Sequence, residues 1–254
     1  MKIETFGDKN NDCILLMHPM FLSGECFKNH LSKLTNYFVV IPTFSGHADA
    51  GKFESTYKEA NDLCDYLNHI GVTKVKAAVG LSLGSMVAMH MYNYNFIPVE
   101  FFFLDGATVA PLKFRDKIKL RRNFLIMGKI FNAFPDIEIP EKLSFHFGRF
   151  FNIALDASKE ITATDIKNMI GEYINYRLPK HLPDDRGKRL NFLFGSEEAS
   201  CKVSLPIIEQ KFPLAKVKVY KNMGHLGYAM NNEEEYSQLF LHIINNRESK
   251  YNID

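Results

Sequence analysis

Six short runs, nearly all continuous in apolar residues and set apart by longer stretches of helical period, constrain this chain more than any other feature. They are "CILLM" (13–17), "FVVI" (38–41), "VKAAV" (75–79), "FFFL" (101–104), "NFLF" (191–194) and "KVKVY" (216–220). A strand that is apolar at successive positions has both faces covered, the pattern of a mainly parallel sheet between helical layers, whereas "KVKVY" alternates like an edge strand. "KIETF" near the start is a further edge-strand candidate. The helix-like segments are "SGECFKNHLSKLTN" after the first run, "TYKEANDLCDYLNHIG" before the third, stopping at Gly71, and "EEEYSQLFLHIINNRE" at the close. Strand, helix and strand in this order predict right-handed crossovers and a doubly wound, mainly parallel α/β sheet of about six to eight strands.

One gap breaks the rhythm. From Pro111 to Arg186 the chain is helix-like and carries Phe114, Phe124, Phe131, Phe134, Phe145, Phe147, Phe150 and Phe151. About 75 residues is too long for a loop. A helical cap inserted after the strand at 101–104 is therefore expected, above that strand's carboxyl end. It divides the chain into a core of residues 1–110 and 187–254 and a cap of residues 111–186, with "PKHLPDDRGKR" (179–189) as the exit linker. The phenylalanines, with Leu125, Ile126 and Met127, suggest an apolar pocket, and "LKFRDKIKLRR" (112–122) reads as the wet face of a cap helix.

A chain of 254 residues buries roughly three quarters of its unfolded surface without help from disulfides. Its 31 basic and 29 acidic residues leave a net charge of +2, which offers no bulk attraction for nucleic acid or an anionic membrane, and points to a small-molecule partner. Cys13, Cys26, Cys64 and Cys201 are widely spaced and form no C-x-x-C pair. They read as free thiols in a reducing compartment rather than a zinc or redox site, and nothing calls for a metal or cofactor. The opening residues turn polar at once and no later apolar run approaches the length of a membrane span. The expectation is a cytoplasmic protein without stable membrane insertion; no oligomeric state is specified.

In doubly wound sheets ligands bind where the strands' carboxyl ends meet. Here the loops at that rim are "HPM", "PTFSGH", "GLSLG", "DGA", "GSEE" and "NMGH". "GLSLG" (80–84) matches the G-x-S-x-G nucleophile elbow, in which flanking glycines let strand and helix approach and a strained turn lifts the serine, Ser82, out of the sheet. A serine hydroxyl needs a base, and His225 in "NMGHLGY" follows the last strand and precedes the last helix. His18 and His47, early in the chain, read as structural hydrogen-bonders, and His90, within the helix after the elbow, should point away. The acid that orients the imidazole falls between serine and histidine in chain order. Glu198 in "FLFGSEEAS" is favoured; Glu197 beside it and Asp105 in "FLDGA" remain alternatives.

On these motifs nearly the whole chain resembles the α/β-hydrolase superfamily. The resemblance implies Ser82 as nucleophile, His225 as base and Glu198 as acid. It also implies an oxyanion hole made by two backbone N–H groups, of Leu83 and of Met20. The family's loop usually reads His-Gly-x; here it is His18, Pro19, Met20, which stiffens the approach but leaves the Met20 donor in place. Gly46 and His47 in "TFSGHADAG" would be structural. The activity implied is hydrolysis of a small, largely apolar carboxylic ester or thioester through an acyl-enzyme. The same scaffold also hosts C–C bond hydrolases and lyases, and a non-catalytic small-ligand binder is the reading from another class.

Overall fold

The computed structural model describes residues 1–133 and 148–246. The strands are β1 (Lys2–Phe6), β2 (Cys13–Met17), β3 (Phe38–Thr43), β4 (Val75–Leu81), β5 (Val99–Asp105), β6 (Leu190–Gly195) and β7 (Lys216–Tyr220). They form one seven-stranded sheet in the order β1-β3-β2-β4-β5-β6-β7. Only β1 is antiparallel to its neighbour. β2 and β6 are buried along their whole length, as their unbroken apolar runs require, while β1 and β7 lie at the edges and are partly exposed.

The helices are α1 (Thr56–His69), α2 (Leu83–Tyr94), α3 (Phe114–Ala133), α4 (Phe151–Ser158), α5 (Ala163–Asn175), α6 (Ala199–Lys211), α7 (Gly227–Asn231) and α8 (Glu233–Asn245). α1 packs on α2, and α8 packs on a 3-10 helical segment, Gly24–Lys33. That segment corrects the α-helix suggested by "SGECFKNHLSKLTN". Helix α6 has no strong amphipathic pattern and holds Pro206 inside it, so its sequence carries little periodic signal. α1 is capped by Ser55, which accepts from Lys58 N–H, and the chain leaves it at Gly71, whose φ of +81° is a left-handed stop.

The order of the strands positions the functional rim. β2 pairs with β3 on one side and β4 on the other, so the winding reverses at β2 and opens a crevice at its carboxyl end. The register places Met17 opposite Gly80, Leu81 opposite Asp105, Asp105 opposite Leu193, and Gly195 opposite Tyr220. Every loop that carries a candidate residue therefore leaves the sheet at the same edge.

Among the described residues between β5 and β6 lie helices α3, α4 and α5. α5 is tied to the core by its own polar residues. Asp165 accepts from Phe53 N–H at 2.8 Å, Asn168 donates to Phe53 O at 2.9 Å, and Glu172 accepts from Thr56 N–H at 2.9 Å. Asp165 also completes a capping box with Thr162 at the start of α5. Gly128 of α3 lets that helix approach Ile166 of α5, where a Cβ would lie 2.2 Å from Ile166 Cδ1.

Asp165→Ala removes a helix cap and leaves the buried Phe53 N–H unpaired. The expected cost is about 2–3 kcal/mol, read as a lower denaturant midpoint, with faster amide exchange across residues 163–175.

Candidate active site

The elbow after β4 has the geometry its sequence demands. Ser82 takes φ +50° and ψ −102°, a left-handed strain held by its surroundings. Its N–H donates to Asp105 O at 2.8 Å. A Cβ on Gly80 would lie 2.4 Å from Gly84 O, and one on Gly84 would lie 2.2 Å from Met17 O. Both glycines are therefore needed for α2 to start so close to β2 and β4.

Three side chains form one hydrogen-bonded row on this rim. Glu198 Oε2 lies 2.6 Å from His225 Nδ1, and His225 Nε2 lies 2.9 Å from Ser82 Oγ. Glu198 Oε1 also accepts from Gly195 N–H at 3.2 Å, which fixes the carboxylate from its other side. The carboxylate is buried, so the ion pair it can form with imidazolium is worth more than at the surface. The glycine at 195 is again a matter of space, since a Cβ would lie 2.3 Å from the carbonyl oxygens of Met223 and Gly224, just before His225.

Of the alternative acids, Glu197 makes its backbone contact to Met223 O, and no side-chain bond from it to His225 is formed among the described residues. Asp105 lies in the same buried pocket as Glu198 and His225. Its carboxyl is pushed up to about 7, chiefly by burial and then by the charge of Glu198, with His225 opposing. The Tyr236 phenol stands beside it without hydrogen-bond geometry, and Asp105 Oδ2 has no partner among the described residues. The next residue, Gly106, has φ +63°, and a Cβ there would lie 2.3 Å from His225 Cε1. The strand end after β5 is thus the floor on which the imidazole rests.

His18 and His47 bind the neighbouring loops together. His18 Nδ1 donates to Pro19 O at 2.8 Å and Nε2 accepts from Phe44 N–H at 2.9 Å. His47 Nε2 accepts from Phe21 N–H at 3.1 Å, with Nδ1 donating to Ser45 O at 3.2 Å. Burial pushes both imidazoles down, His47 to about 4, so they stay neutral and keep these acceptors. They shape the turn at Met20, which Pro19 alone would not fix. The N–H groups of Met20 and Leu83 make no hydrogen bond among the described residues, and Leu83 opens α2, where no intrahelical acceptor exists. His90 lies elsewhere, with Nε2 3.1 Å from Thr56 Oγ1.

A further residue has no motif to announce it. The Tyr173 hydroxyl, on α5, lies 3.1 Å from Ser82 Oγ across 91 residues of sequence. Its ring stacks on Phe124 of α3 at 5.6 Å and 18°, and Phe124 in turn meets Phe21 at 5.9 Å. Of the phenylalanines expected in the insertion, Phe124 is partly buried against Tyr173, Phe150 is buried, and Phe114 is exposed, as is Ile126. Phe134, Phe145 and Phe147, and the Phe131 side chain, lie outside the described residues. Ser82 is only 5 % exposed, whereas the His225 side chain is 47 % exposed, so solvent reaches the row from the histidine side. Two clefts of about 450 and 970 Å³ open at the opposite rim, around the first residues of β4, β5 and β7, and share none of these groups.

All four cysteines are buried and unbridged. Among the described residues no helix is long and apolar enough to cross a membrane, and no cluster of three or more His, Cys, Asp or Glu is placed to hold a metal ion.

A mostly parallel seven-stranded sheet, a serine at a strained strand-to-helix elbow and a helical insertion above the rim define the α/β-hydrolase class. Residues 14–238 match the alpha/beta hydrolase family, and the chain belongs to it. No curated protein sequence matches the chain. Among solved structures, an α/β hydrolase family protein from Desulfitobacterium hafniense is 21 % identical with a TM-score of 0.70, covering 96 % of this chain and 100 % of that one. A structure from work on carboxylesterases of the thaumarchaeon Nitrososphaera gargenis is 15 % identical, with a TM-score of 0.73 and coverage of 97 % and 96 %. The enol-lactonase of Burkholderia xenovorans LB400 is 11 % identical, with a TM-score of 0.71 and coverage of 96 % of each chain. At these identities the likeness concerns the fold.

Two outcomes follow from the packing around Asp105 and Gly106. An aspartate raised from 3.8 to about 7 on folding keeps its proton while the unfolded chain loses one, so its contribution to stability falls as pH rises from about 4 to about 7. Asp105→Asn should therefore gain melting temperature relative to the parent between pH 5 and pH 8, by a few degrees; an unchanged difference between the two proteins would contradict the shift. Gly106→Ala should displace the imidazole and cost at least about 1 kcal/mol, seen as altered His225 ring resonances together with a lowered melting temperature.

Proposed function

We propose that the protein is a serine hydrolase that cleaves a carboxylic ester, or thioester, of a small and largely apolar substrate through an acyl-enzyme on Ser82. The observation that carries this reading is the continuous row from Glu198 through His225 to Ser82, with contacts of 2.6 and 2.9 Å. His225 takes the Ser82 proton as Oγ attacks the carbonyl carbon. Glu198 holds the Nδ1–H tautomer and stabilises the imidazolium that forms. Asp105, whose carboxyl burial pushes up to about 7, is the poorer counter-charge, which favours Glu198 as the acid. The Met20 and Leu83 N–H groups, free of other acceptors among the described residues, are the proposed oxyanion donors. A water activated by the same histidine then releases the acid. The carboxylesterase work and the enol-lactonase represented among the structural neighbours agree with ester chemistry. The insertion of residues 111–186 is proposed as the cap that shapes the acyl pocket, and a cytoplasmic setting agrees with the four unbridged thiols.

The test is a panel of p-nitrophenyl esters of increasing acyl length, run beside Ser82→Ala, with a fluorophosphonate as an active-site label. The expected result is turnover with an optimum acyl length, labelling at Ser82, and a loss of at least about a thousandfold in kcat for Ser82→Ala. Ester turnover that survives Ser82→Ala unchanged overturns the proposal.

A further inference from the structure

We propose that Tyr173 is a catalytic hydrogen-bond donor to the leaving alkoxy oxygen, so that the site is built for unactivated esters of weakly acidic alcohols. This rests on the reading of Ser82 as the nucleophile.

The argument begins with the protons. Glu198 accepts from His225 Nδ1–H, which leaves Nε2 as an acceptor, and the one hydroxyl hydrogen of Ser82 goes to it. The 3.1 Å contact between Ser82 Oγ and the Tyr173 hydroxyl must then be a bond that Tyr173 donates. Burial pushes the phenol above its ordinary range, by more than its bond to Ser82 lowers it, so Tyr173 keeps its hydrogen and serves as a donor rather than a base.

A donor on the lone pair of Ser82 Oγ weakens the nucleophile in the free protein. It aids turnover only if the bond passes to another oxygen as Ser82 attacks. Once Oγ has bonded to the carbonyl carbon, that carbon bears two further oxygens, the oxyanion and the alkoxy oxygen. The Met20 and Leu83 amides are the proposed partners of the first. The second receives a proton from His225 and is the oxygen left for a donor in the cap. In the breakdown step the carbon–alkoxy bond breaks, its electron pair stays on the alkoxy oxygen, and that oxygen takes the proton from His225 Nε2 as the carbonyl re-forms. Tyr173 supports the charge on the departing oxygen and keeps its own proton.

The phenol is held in place for this. Asp165, Asn168 and Glu172 pin α5 to the segment from Phe53 to Thr56, and the ring is stacked on Phe124. Little swing is open to it. The benefit should scale with the charge that builds on the leaving oxygen, being large for an alkyl ester and small for a p-nitrophenyl ester.

The experiment compares kcat/KM, which reports acylation even when deacylation limits kcat, for the parent and Tyr173→Phe on p-nitrophenyl, phenyl and ethyl esters of one acid. The expected loss is about two- to threefold for the p-nitrophenyl ester and roughly ten- to hundredfold for the ethyl ester, so that dependence on the leaving group steepens. An equal loss on all three esters overturns the proposal, because a phenol that bonds the oxyanion or merely holds the cap shut affects them alike. No loss on the ethyl ester overturns it too. Melting temperature and fluorophosphonate labelling of Tyr173→Phe report whether the fold and Ser82 survive the change. Should the phenylalanine variant fail to fold, Tyr173→His, which keeps a ring and a donor, should retain more ethyl-ester turnover than Tyr173→Leu, and equal turnover by the two overturns the proposal. Ser82→Ala separates the two readings: if it hydrolyses the esters like the parent, the serine-hydrolase reading falls whatever Tyr173→Phe does.

Discussion

Backbone meets backbone at the elbow, and most of the site depends on that approach. The first turn of α2 comes so near the end of β2 that a single carbon added to Gly84 would lie 2.2 Å from Met17 O, and Gly80 meets Gly84 O in the same way. Ser82, caught between them, adopts a φ of +50°. A residue held in this region costs of order 1–3 kcal/mol. The sheet around it supplies that energy, because β2 and β4 are central, parallel and buried. The return is position: a serine held at the crevice where the winding reverses, with its N–H occupied by Asp105 O and its hydroxyl directed to His225.

The remaining parts of the site are arranged around this fixed point by groups outside the row of Glu198, His225 and Ser82. Gly106 is the flat floor under the His225 ring, and Gly195 lets the loop before His225 pass close to the one that bears Glu198. His18 and His47, both neutral because both are buried, lash the turn at Met20 to the segment from Phe44 to His47. Asp165, Asn168 and Glu172 do the same for α5 and so carry Tyr173 to the serine. Polar residues thus fix the loops in register with the sheet, and the rings of Phe21 and Phe124 back Tyr173, whose hydroxyl reaches Ser82.

Much of this was legible along the chain, and the physical reasons are separable. Continuous apolar runs can be satisfied only by strands covered on both faces, so β2 to β6 were visible, and the alternation in "KVKVY" marked β7 as an edge. The elbow was visible because close backbone approach demands glycine at both Gly80 and Gly84. Segments whose conformation rests on long-range contact were less so. "SGECFKNHLSKLTN" has helical spacing yet winds as a 3-10 helix under α8, and α6 has too weak a pattern to declare itself. Glu198 and Asp105 could not be separated by order alone, since both follow strands at the same rim. Only the tertiary structure shows that Glu198 meets Nδ1 while Asp105 Oδ2 is left without a partner among the described residues.

By itself, then, the sequence determined the class of fold, the strained serine and the set of side chains that leave the sheet at one edge, because each of these follows from local spacing and from what a covered strand or a tight turn will accept. The tertiary structure decided which carboxylate pairs with His225, which amides are left without a partner among the described residues, and that a tyrosine from the insertion reaches Ser82 across 91 residues. Those choices turn on distances of a few tenths of an ångström between segments remote in the chain. No periodicity encodes such distances, and only the packing of the insertion onto the sheet sets them.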